Sequence, residues 1–265
     1  MDAATIKTLI ELNNTFYRKN GASFSKTRER AWDGWQKVLD TIVNNGLDNL
    51  LVGDWHHNVF DLACGNMRFE AFLNRVAPEN SFTFYAVDNC DEFTKHVHAP
   101  EPFYVYYQHL DILDALQQNL ALSDLIEAPA MADLSVSFGF MHHVPTQTCR
   151  RQVLHALIEQ TRPGGYVAVS FWQFAKNEAM REKAEATTTE VLTRVTGLEP
   201  ATLDANDYLL GWQNKPAAYR YCHSFSETEI DELVTAVSGT ATVIDRFTAD
   251  GRTGNLNAYL VLQVD

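Results

Sequence analysis

Asp61-Leu62-Ala63-Cys64-Gly65-Asn66-Met67-Arg68-Phe69 is the stretch that decides the fold of this 265-residue chain. It begins in an apolar run, residues 59–62, that predicts a buried strand, and it leads into an amphipathic segment of helical period. A second apolar run, residues 83–87, ends at Asp88. A glycine turn between strand and helix, followed by an acidic residue at the end of the next strand, indicates a βαβ unit that suits an adenosine cofactor.

Short apolar runs and helix-length segments alternate through the rest of the chain. Further strands are predicted at residues 104–108, 134–138 and 166–171, and the clearest helix at 146–161, ended by Pro163-Gly164-Gly165. Later elements are a long helix at 177–195, a helix at 227–236 and a terminal hairpin formed by 240–247 and 256–264. This order predicts an α/β fold with a doubly wound, seven-stranded and mostly parallel sheet, Rossmann-like in its architecture.

Two regions lie outside the repeating pattern. At the N-terminus, Ile6 to Tyr17 and Trp32 to Val43 have helical spacing, with a polar connector at residues 19–30. We therefore expect residues 1–57 to form a helical cap of the same domain and residues 58–265 to form its main part. Residues 196–224 match no βα unit, and we expect them to be an irregular lid insertion before the terminal hairpin.

Charge favours a small-molecule partner over a nucleic acid. The formal net charge is −13, and because residues 1–57 hold seven basic and seven acidic residues, all of the excess lies after residue 57. Such a surface repels phosphate backbones at long range. No membrane span or signal peptide is indicated, so we expect a cytoplasmic protein with no membrane contact.

The four cysteines give no sign of a metal site or a disulfide framework. They are widely spaced without a CxxC pair, which predicts reduced thiols. The histidines form no His-x-x-x-His pattern with a nearby carboxylate, so no metal site is predicted.

The third strand adds a further acidic position to the predicted ligand site. It ends in His109-Leu110-Asp111-Ile112, which puts a carboxylate and an apolar side chain where an adenine would lie. Capping of turns is the ordinary role of such aspartates. A dinucleotide-binding dehydrogenase is the nearest rival, but of its G-x-G-x-x-G series only Gly65 is present. The predicted cofactor-binding residues are Arg28, Asp61, Ala63, Cys64, Gly65, Asn66, Asp88, Asn89, Asp111, Ile112 and Phe138.

The sequence resembles the class I S-adenosylmethionine-dependent methyltransferases, whose first motif runs acidic-x-Gly-x-Gly-x-Gly. The resemblance implies S-adenosylmethionine as cofactor, with residues 61–67 facing its methionine part, Asp88 its ribose, and Asp111 with Ile112 its adenine. Ala63 and Met67 replace the outer two glycines of the motif. Met67 adds bulk beside the expected cofactor.

A narrower resemblance spans nearly the whole chain. The chain is similar to the family that methylates the carboxymethyl group on wobble uridine of tRNA, although Cys222 stands where that family usually has an aromatic residue. The motifs that carry this likeness are Phe24-Ser25-x-Thr27-Arg28 with Trp32, Phe138-Gly139-Phe140-Met141-His142-His143, Arg162-Pro163-Gly164-Gly165, Asp207-Tyr208-x-x-Gly211-Trp212 and Arg220-Tyr221-Cys222-His223-x-Phe225.

Several side chains suit particular roles around such a cofactor. Arg28 can pair bidentately with the cofactor's carboxylate while Trp32 or Trp35 covers it. His142 and His143 follow the fourth strand and can contact the acceptor or act as a base. The alternatives for these residues are a solvated arginine, core tryptophans and loop-capping histidines.

Anion binding is the role predicted for a second group, in the insertion. Arg220 is the candidate catalytic cation there, and Trp212, Tyr221 and His223 are candidate substrate contacts. The alternative is packing of the lid.

Three functions remain open at this point. In the first, a methyl group passes to a small-molecule acceptor; a carboxylate acceptor would need only an orienting cation such as Arg220, whereas a hydroxyl or amine would make a histidine base useful. In the second, the acceptor is tRNA. In the third, the protein binds the cofactor but has lost catalysis.

Overall fold

Five parallel strands form the centre of the sheet in the computed structural model, which describes residues 1–27, 30–90, 104–129, 131–213 and 215–265. Two antiparallel strands complete its far edge. The seven strands are β1 (His56–Leu62), β2 (Ser81–Asp88), β3 (Tyr104–His109), β4 (Ala132–Ser137), β5 (Thr161–Trp172), β8 (Ala241–Ala249) and β9 (Asn257–Val264). Their order in the sheet is β3-β2-β1-β4-β5-β9-β8. The predicted seven-stranded, mostly parallel sheet is confirmed.

Helices cover both faces of this sheet. Helices α2 and α3 pack on one face, and α4, α6 and α8 on the other. The helices are α1 (Ala3–Ser25), α2 (Asp33–Asn44), α3 (Arg68–Val76), α4 (Ile112–Gln117), α5 (Leu122–Leu125), α6 (Gln147–Gln160), α7 (Glu178–Leu192) and α8 (Glu227–Val237). Across the described ranges, none of the helices has the length and apolar character needed to cross a membrane.

Alternation along the central strands explains why both faces are apolar. Phe60 and Leu62 belong to the core on one side of the sheet, whereas Val59 belongs to the core on the other. In a strand, successive side chains point to opposite faces, so a strand covered by helices on both sides is apolar almost throughout.

Local capping fixes the ends of two helices. The side chain of Thr146 accepts a hydrogen bond from the Cys149 N–H at the start of α6. Ser226 and Glu229 form a reciprocal capping box at the start of α8. These bonds satisfy backbone donors that have no partner within the helix.

Some predicted boundaries are wrong. The polar connector expected at 19–30 is helical as far as Ser25, because Phe24 packs edge-on against Phe16 and Tyr17 on the same helix. Strand β5 starts at Thr161, before Pro163-Gly164-Gly165, because its first residue already pairs with Ala132 of β4. The helix expected at 177–195 ends at Leu192.

The expected irregular insertion contains a hairpin. Strands β6 (Asp207–Gly211) and β7 (Tyr219–His223) pair antiparallel in a separate two-stranded sheet. Leu209 and Tyr221 are fully buried and pack with Leu9 of α1 and Val191 of α7. The hairpin therefore owes its stability to the two long helices on either side of it.

A buried carboxylate joins the N-terminal helices to the terminal hairpin. Asp250 accepts hydrogen bonds from the Gly34 N–H at 3.0 Å, the Asn257 amide at 2.7 Å and the Tyr259 hydroxyl at 2.5 Å. The Tyr259 ring stacks on Phe247 at 5.2 Å. Because both ends of its side chain are held, Tyr259 cannot move away from α2.

We expect the substitution Gly34→Ala to destabilise the protein. An added Cβ would lie 2.2 Å from the Tyr259 Cζ atom. Replacing a helical glycine by alanine normally gains about 1 kcal/mol, but overpacking at a site that cannot yield costs about 1–3 kcal/mol or more. Thermal unfolding followed by circular dichroism should show a lower midpoint.

Gly211→Ala is the matched control, since its added Cβ would meet only Thr187 Cγ2, at 3.8 Å. An unchanged or higher midpoint for Gly34→Ala would mean that Tyr259 is not held as described.

Candidate active site

A cavity of about 390 Å³ opens at the carboxyl ends of the parallel strands. It lies where the strand order reverses between β1 and β4, which is the usual ligand site of open α/β sheets. The predicted site residues that line it are Asp61, Ala63, Cys64, Gly65, Asn66, Asp88, Asn89, Asp111, Ile112, Phe138, His142, His143 and Arg220. Arg28, predicted for the same site, lies outside the described residues.

The glycine turn after β1 leaves open space on its cavity side. The Ala63 and Cys64 N–H groups donate to the Val87 carbonyl at 2.8 and 3.1 Å, which ties the turn to β2. Gly65 has a positive φ of 56°, and a Cβ built on it would meet no atom within 4 Å. Met67 is buried against Cys64 and Ala86 and does not line the cavity. The Met67 side chain therefore does not occupy the space beside the glycine turn where the sequence led us to expect its bulk.

Asp88 closes β2 beside this turn. Its carboxylate accepts from the Gly65 N–H at 2.9 Å and the Cys90 N–H at 2.8 Å. Burial raises the pKa of Asp88, and these backbone donors oppose the rise. The carboxylate is thus held in one position with further lone pairs available to hydroxyl donors.

Asp61 and Glu70 form a buried carboxyl pair. Asp61 Oδ1 and both Glu70 oxygens accept no hydrogen bond from a described donor. Burial, followed by repulsion from Glu70 and Asp88, raises the pKa of Asp61 well above its ordinary value. Burial also raises the pKa of Glu70 to about 7. Near neutral pH the pair therefore retains a proton.

A series of hydrogen-bonded polar side chains links α1 to the cavity wall near Asp111, and sequence patterns did not predict it. The Asn14 amide donates to Asp111 Oδ2 at 2.7 Å, and the Asn89 amide donates to Asn14 Oδ1 at 3.1 Å. Asp111 Oδ1 also caps α4 through the Asp114 N–H. Asp111 is thus both a helix cap and part of the cavity wall.

Arg220 is buried in an aromatic surround without a carboxylate. It is 5% exposed, and no carboxylate of the described residues lies within 4.0 Å of it. Its Nε and Nη1 atoms have no hydrogen-bond partner in the part of the chain that the structure describes. Burying a cation without an anion is costly, so an anionic group in the cavity would be attracted to this guanidinium. The rings around it are Phe16 at 5.3 Å, Phe24 at 5.0 Å, Trp172 at 5.9 Å and Trp212 at 5.7 Å.

His143 and Tyr17 both line the cavity and are hydrogen-bonded to each other. The His143 Nδ1 lies 3.0 Å from the Tyr221 carbonyl oxygen, which can only accept, and 3.3 Å from the Asn13 amide nitrogen, which can only donate. The shorter contact assigns the hydrogen to Nδ1. The His143 Nε2 therefore accepts from the Tyr17 hydroxyl, at 2.6 Å. His142, which also lines the cavity, has its ring 4.9 Å from that of Trp172.

His142, His143 and Cys222 bring ligand-type atoms within 4.8 Å of one another. The sequence predicts no metal site. The Nδ1 atom of His143 already donates to a carbonyl, and the positive guanidinium of Arg220 interacts with Cys222. These contacts favour a hydrogen-bonded cluster over a set of metal ligands.

Two predicted substrate contacts, Tyr221 and His223, lie outside the cavity. Both are buried, and the Tyr221 hydroxyl donates to Asp207 at 2.8 Å. The ring nitrogens of His223 contact Asp207 at 2.7 Å and Glu229 at 2.8 Å. Burial opposes ionisation, but the hydrogen bond from His223 lowers the pKa of Glu229 to about 2. The structure therefore gives Tyr221 and His223 a structural position.

Trp212, the third predicted substrate contact, also does not line the cavity. It packs on Phe24 at 5.1 Å, beneath the guanidinium of Arg220.

Several cavity residues were missed by sequence reasoning. Tyr17 and Asn13 lie on the apolar stripe of α1. A polar side chain within that stripe is the feature of the sequence that could have indicated a cavity position. Arg68, Asp250 and Asn257 have no comparable signal, because the fold brings them to the cavity from separate elements. The missed cavity residues include Asn13, Asn14, Tyr17, Arg68, Trp172, Asp250 and Asn257.

The fold of the chain is the one found in solved S-adenosylmethionine-dependent methyltransferases. No family model and no curated protein sequence matches the chain. A methyltransferase structure from Methanosarcina mazei aligns with a TM-score of 0.57 at 15% identity, over 82% of this chain and 96% of that one. One from Clostridium acetobutylicum aligns with a TM-score of 0.55 at 14% identity, over 94% and 98%.

A third solved structure is the 1,6-didemethyltoxoflavin-N1-methyltransferase of Burkholderia thailandensis, solved with its substrate and S-adenosylhomocysteine. It aligns with a TM-score of 0.51 at 16% identity, over 95% of this chain and 88% of that one. At these identities the likeness establishes the fold.

We expect Glu70→Gln to change how stability depends on pH. With a pKa of about 7 in the folded protein against an ordinary 4.5, Glu70 keeps a proton that the unfolded chain loses between these values. Raising the pH through this window therefore costs the wild type stability, up to about 3 kcal/mol. Glutamine cannot ionise, so the variant should gain on the wild type between pH 5 and pH 8.

Urea unfolding of both proteins at the two pH values measures this gain, with the exposed Glu79→Gln as control. Equal pH dependence in Glu70→Gln and wild type would show that Glu70 is ionised throughout.

Proposed function

We propose that this protein is an S-adenosylmethionine-dependent methyltransferase whose acceptor is a small molecule with a carboxylate group. The observation that carries the proposal is Arg220, a buried guanidinium that faces the cavity without an anionic partner among the described residues. The fold and the series of strand-end carboxylates support the choice of cofactor.

The cavity fits the proposed cofactor at each end. Open space at Gly65 admits a ligand close to the backbone, and Asp61 presents an oxygen without a donor. Asp88 would bind the ribose hydroxyls, and Asp111 with Ile112 would border the adenine. The remaining candidates along this path are Ala63, Cys64, Asn66, Asn89 and Phe138, with Arg28 as a candidate from the sequence.

Arg220 would orient the acceptor. When bound, S-adenosylmethionine supplies an electrophilic methyl group, which a carboxylate oxygen takes in line as the carbon–sulfur bond breaks, without any proton transfer. A carboxylate is already ionised at neutral pH, so the protein needs only to hold it and exclude water. The rings of Phe24 and Trp172 next to Arg220 supply that water-poor surround.

His142 and His143 are proposed as bases that take a proton from the substrate when the methyl group is transferred to a hydroxyl or an amine instead of a carboxylate. Because His143 accepts from Tyr17, a hydroxyl or amine that gives its proton to Tyr17 would pass a proton on to His143 Nε2. The catalytic candidates are thus Arg220 for anionic acceptors and the Tyr17–His143 pair or His142 for neutral ones.

The motif series of the sequence supports tRNA as the alternative acceptor, in the manner of the wobble-uridine carboxymethyl methyltransferases. The net charge of −13 counts against it, because tRNA must approach a surface of its own sign. A cofactor-binding protein without catalysis is the third possibility, and its original motive, Met67, is weakened because that side chain points away from the cavity.

We expect wild-type protein to bind S-adenosylhomocysteine with micromolar affinity in a calorimetric titration. Asp88→Ala should weaken binding by about tenfold or more, since it removes charge-assisted hydrogen bonds to the ribose. Asp88→Asn keeps an acceptor for the backbone and separates loss of charge from loss of the turn. Exposed Asp124→Ala is the control. Failure of the wild type to bind would refute the proposed cofactor.

We expect Arg220→Met to lower kcat/KM for a carboxylate acceptor by about a hundredfold, because it removes a buried cation from the partner carboxylate. Affinity for S-adenosylhomocysteine should stay unchanged. Transfer of labelled methyl groups to a panel of small carboxylic acids and to bulk tRNA measures this, with Arg194→Met, on the exposed surface, as control.

Equal transfer by Arg220→Met and wild type would refute the orienting role of Arg220. Transfer to tRNA alone, falling steeply with salt, would favour the tRNA alternative. A single turnover on any acceptor would exclude the inactive protein.

A further inference from the structure

Arg68 is, besides Arg220, a second cation that lines the cavity. It is the first residue of α3 and follows the glycine turn directly. Its guanidinium lines the same cavity as Asp61 and Gly65. Within the described part of the chain, no carboxylate lies within 4.0 Å of it.

The guanidinium is held in place by neutral groups. It lies over the indoles of Trp32, at 5.4 Å, and Trp35, at 5.3 Å. Its Nε donates to Asn66 Oδ1 at 3.1 Å, and its Nη1 donates to the Arg30 carbonyl at 2.9 Å. These contacts orient the fork of donors and leave Nη2 without a described partner.

Arg68 remains charged in this position. Burial lowers the pKa of its guanidinium to about 10, which still leaves the group protonated at neutral pH. A half-buried cation with no carboxylate of the described residues beside it, in a chain of net charge −13, is an unusual use of a positive charge. Stacked on two rings, it is arranged to meet an anion inside the cavity.

Its position relative to Asp61 indicates which anion. Asp61 precedes the glycine turn and Arg68 follows it, so a carboxyl group and a guanidinium bracket one stretch of backbone that a ligand can approach. An α-amino acid end carries an ammonium, which donates hydrogen bonds, and a carboxylate, which accepts them, on a single carbon, and so complements a carboxyl oxygen of Asp61 and the guanidinium of Arg68.

We infer that Arg68 binds the carboxylate of the cofactor's amino-acid end, with Asp61 facing its ammonium group. The inference rests on the cofactor of the proposed function and is independent of the acceptor. It gives the two cavity arginines separate tasks: Arg68 holds the carboxylate of the cofactor, and Arg220 that of the acceptor. It also moves to Arg68 the role that the sequence suggested for Arg28.

Calorimetric titration with two ligands tests the inference. One ligand is S-adenosylhomocysteine, and the other is its decarboxylated analogue, which keeps the adenosine, thioether and amine. The proteins are wild type, Arg68→Met and Arg75→Met. Arg75 is the matched control, because it lies on the same helix over the Phe72 ring at 5.7 Å and does not line the cavity.

We expect Arg68→Met to lose about ten- to a hundredfold in affinity for S-adenosylhomocysteine and little for the analogue, because it removes a charge-assisted contact to the carboxylate alone. Arg75→Met should match the wild type for both ligands. Arg68→Lys, which keeps the charge without the planar fork, should lose an intermediate amount and serves as the test variant if Arg68→Met does not fold.

Two results would overturn the inference. Unchanged affinity of Arg68→Met for S-adenosylhomocysteine would do so, and so would an equal loss for both ligands, since that would indicate a distorted turn. If the wild type bound neither ligand, the proposed cofactor would be refuted and the inference with it.

Discussion

The hydrogen bonds of one buried residue, Tyr221, hold together the side of the cavity that contains Arg220. Its N–H donates to Asn13 Oδ1 at 2.7 Å, and its carbonyl accepts from His143 Nδ1 at 3.0 Å. Its hydroxyl donates to Asp207 at 2.8 Å and accepts from Arg150 at 3.2 Å. These four bonds join α1, the turn after β4, the inserted hairpin and α6. Because every polar group of Tyr221 is satisfied in a fully buried place, β7 has one stable position.

That fixed position of β7 determines where Arg220 points. A strand presents alternate side chains to opposite sides, so the neighbour of a core-facing Tyr221 faces the other way. His223, two residues on, lies on the Tyr221 side and joins it in contact with Asp207. The ionic network of the insertion and the cation of the cavity are thus two sides of the same short strand.

The charges of the cavity follow the same division. Asp61 and Asp88 lie at the ends of β1 and β2, where the cofactor would present an amine and hydroxyls. Arg68 and Arg220 come from elements outside the parallel strands, and among the described residues each lies against aromatic rings and has no carboxylate beside it. A low-polarity surround strengthens the attraction to a bound anion, because little water screens it.

A feature of the fold or the cavity could be predicted from the sequence when residues close together in the chain produce it. The glycine turn at Gly65, the carboxylates at Asp61 and Asp88, and the alternation of strands and helices follow from patterns within a few residues, so the sequence by itself determined the fold class and the strand-end carboxylates of the cavity. The structure separates Arg220, which lines the cavity, from Tyr221 and His223, which do not, because residues 219–223 form a strand whose alternate side chains face opposite ways.

The tertiary structure alone decided the rest. Arg68 reaches the cavity because Trp32 and Trp35 of the N-terminal segment pack beneath it, and Asn14 because α1 crosses the ends of the strands. Tyr259 is held by Asp250 through contacts between α2 and the last hairpin. The physical reason is that such contacts join residues distant in sequence, whose closeness depends on how helices pack and not on local periodicity.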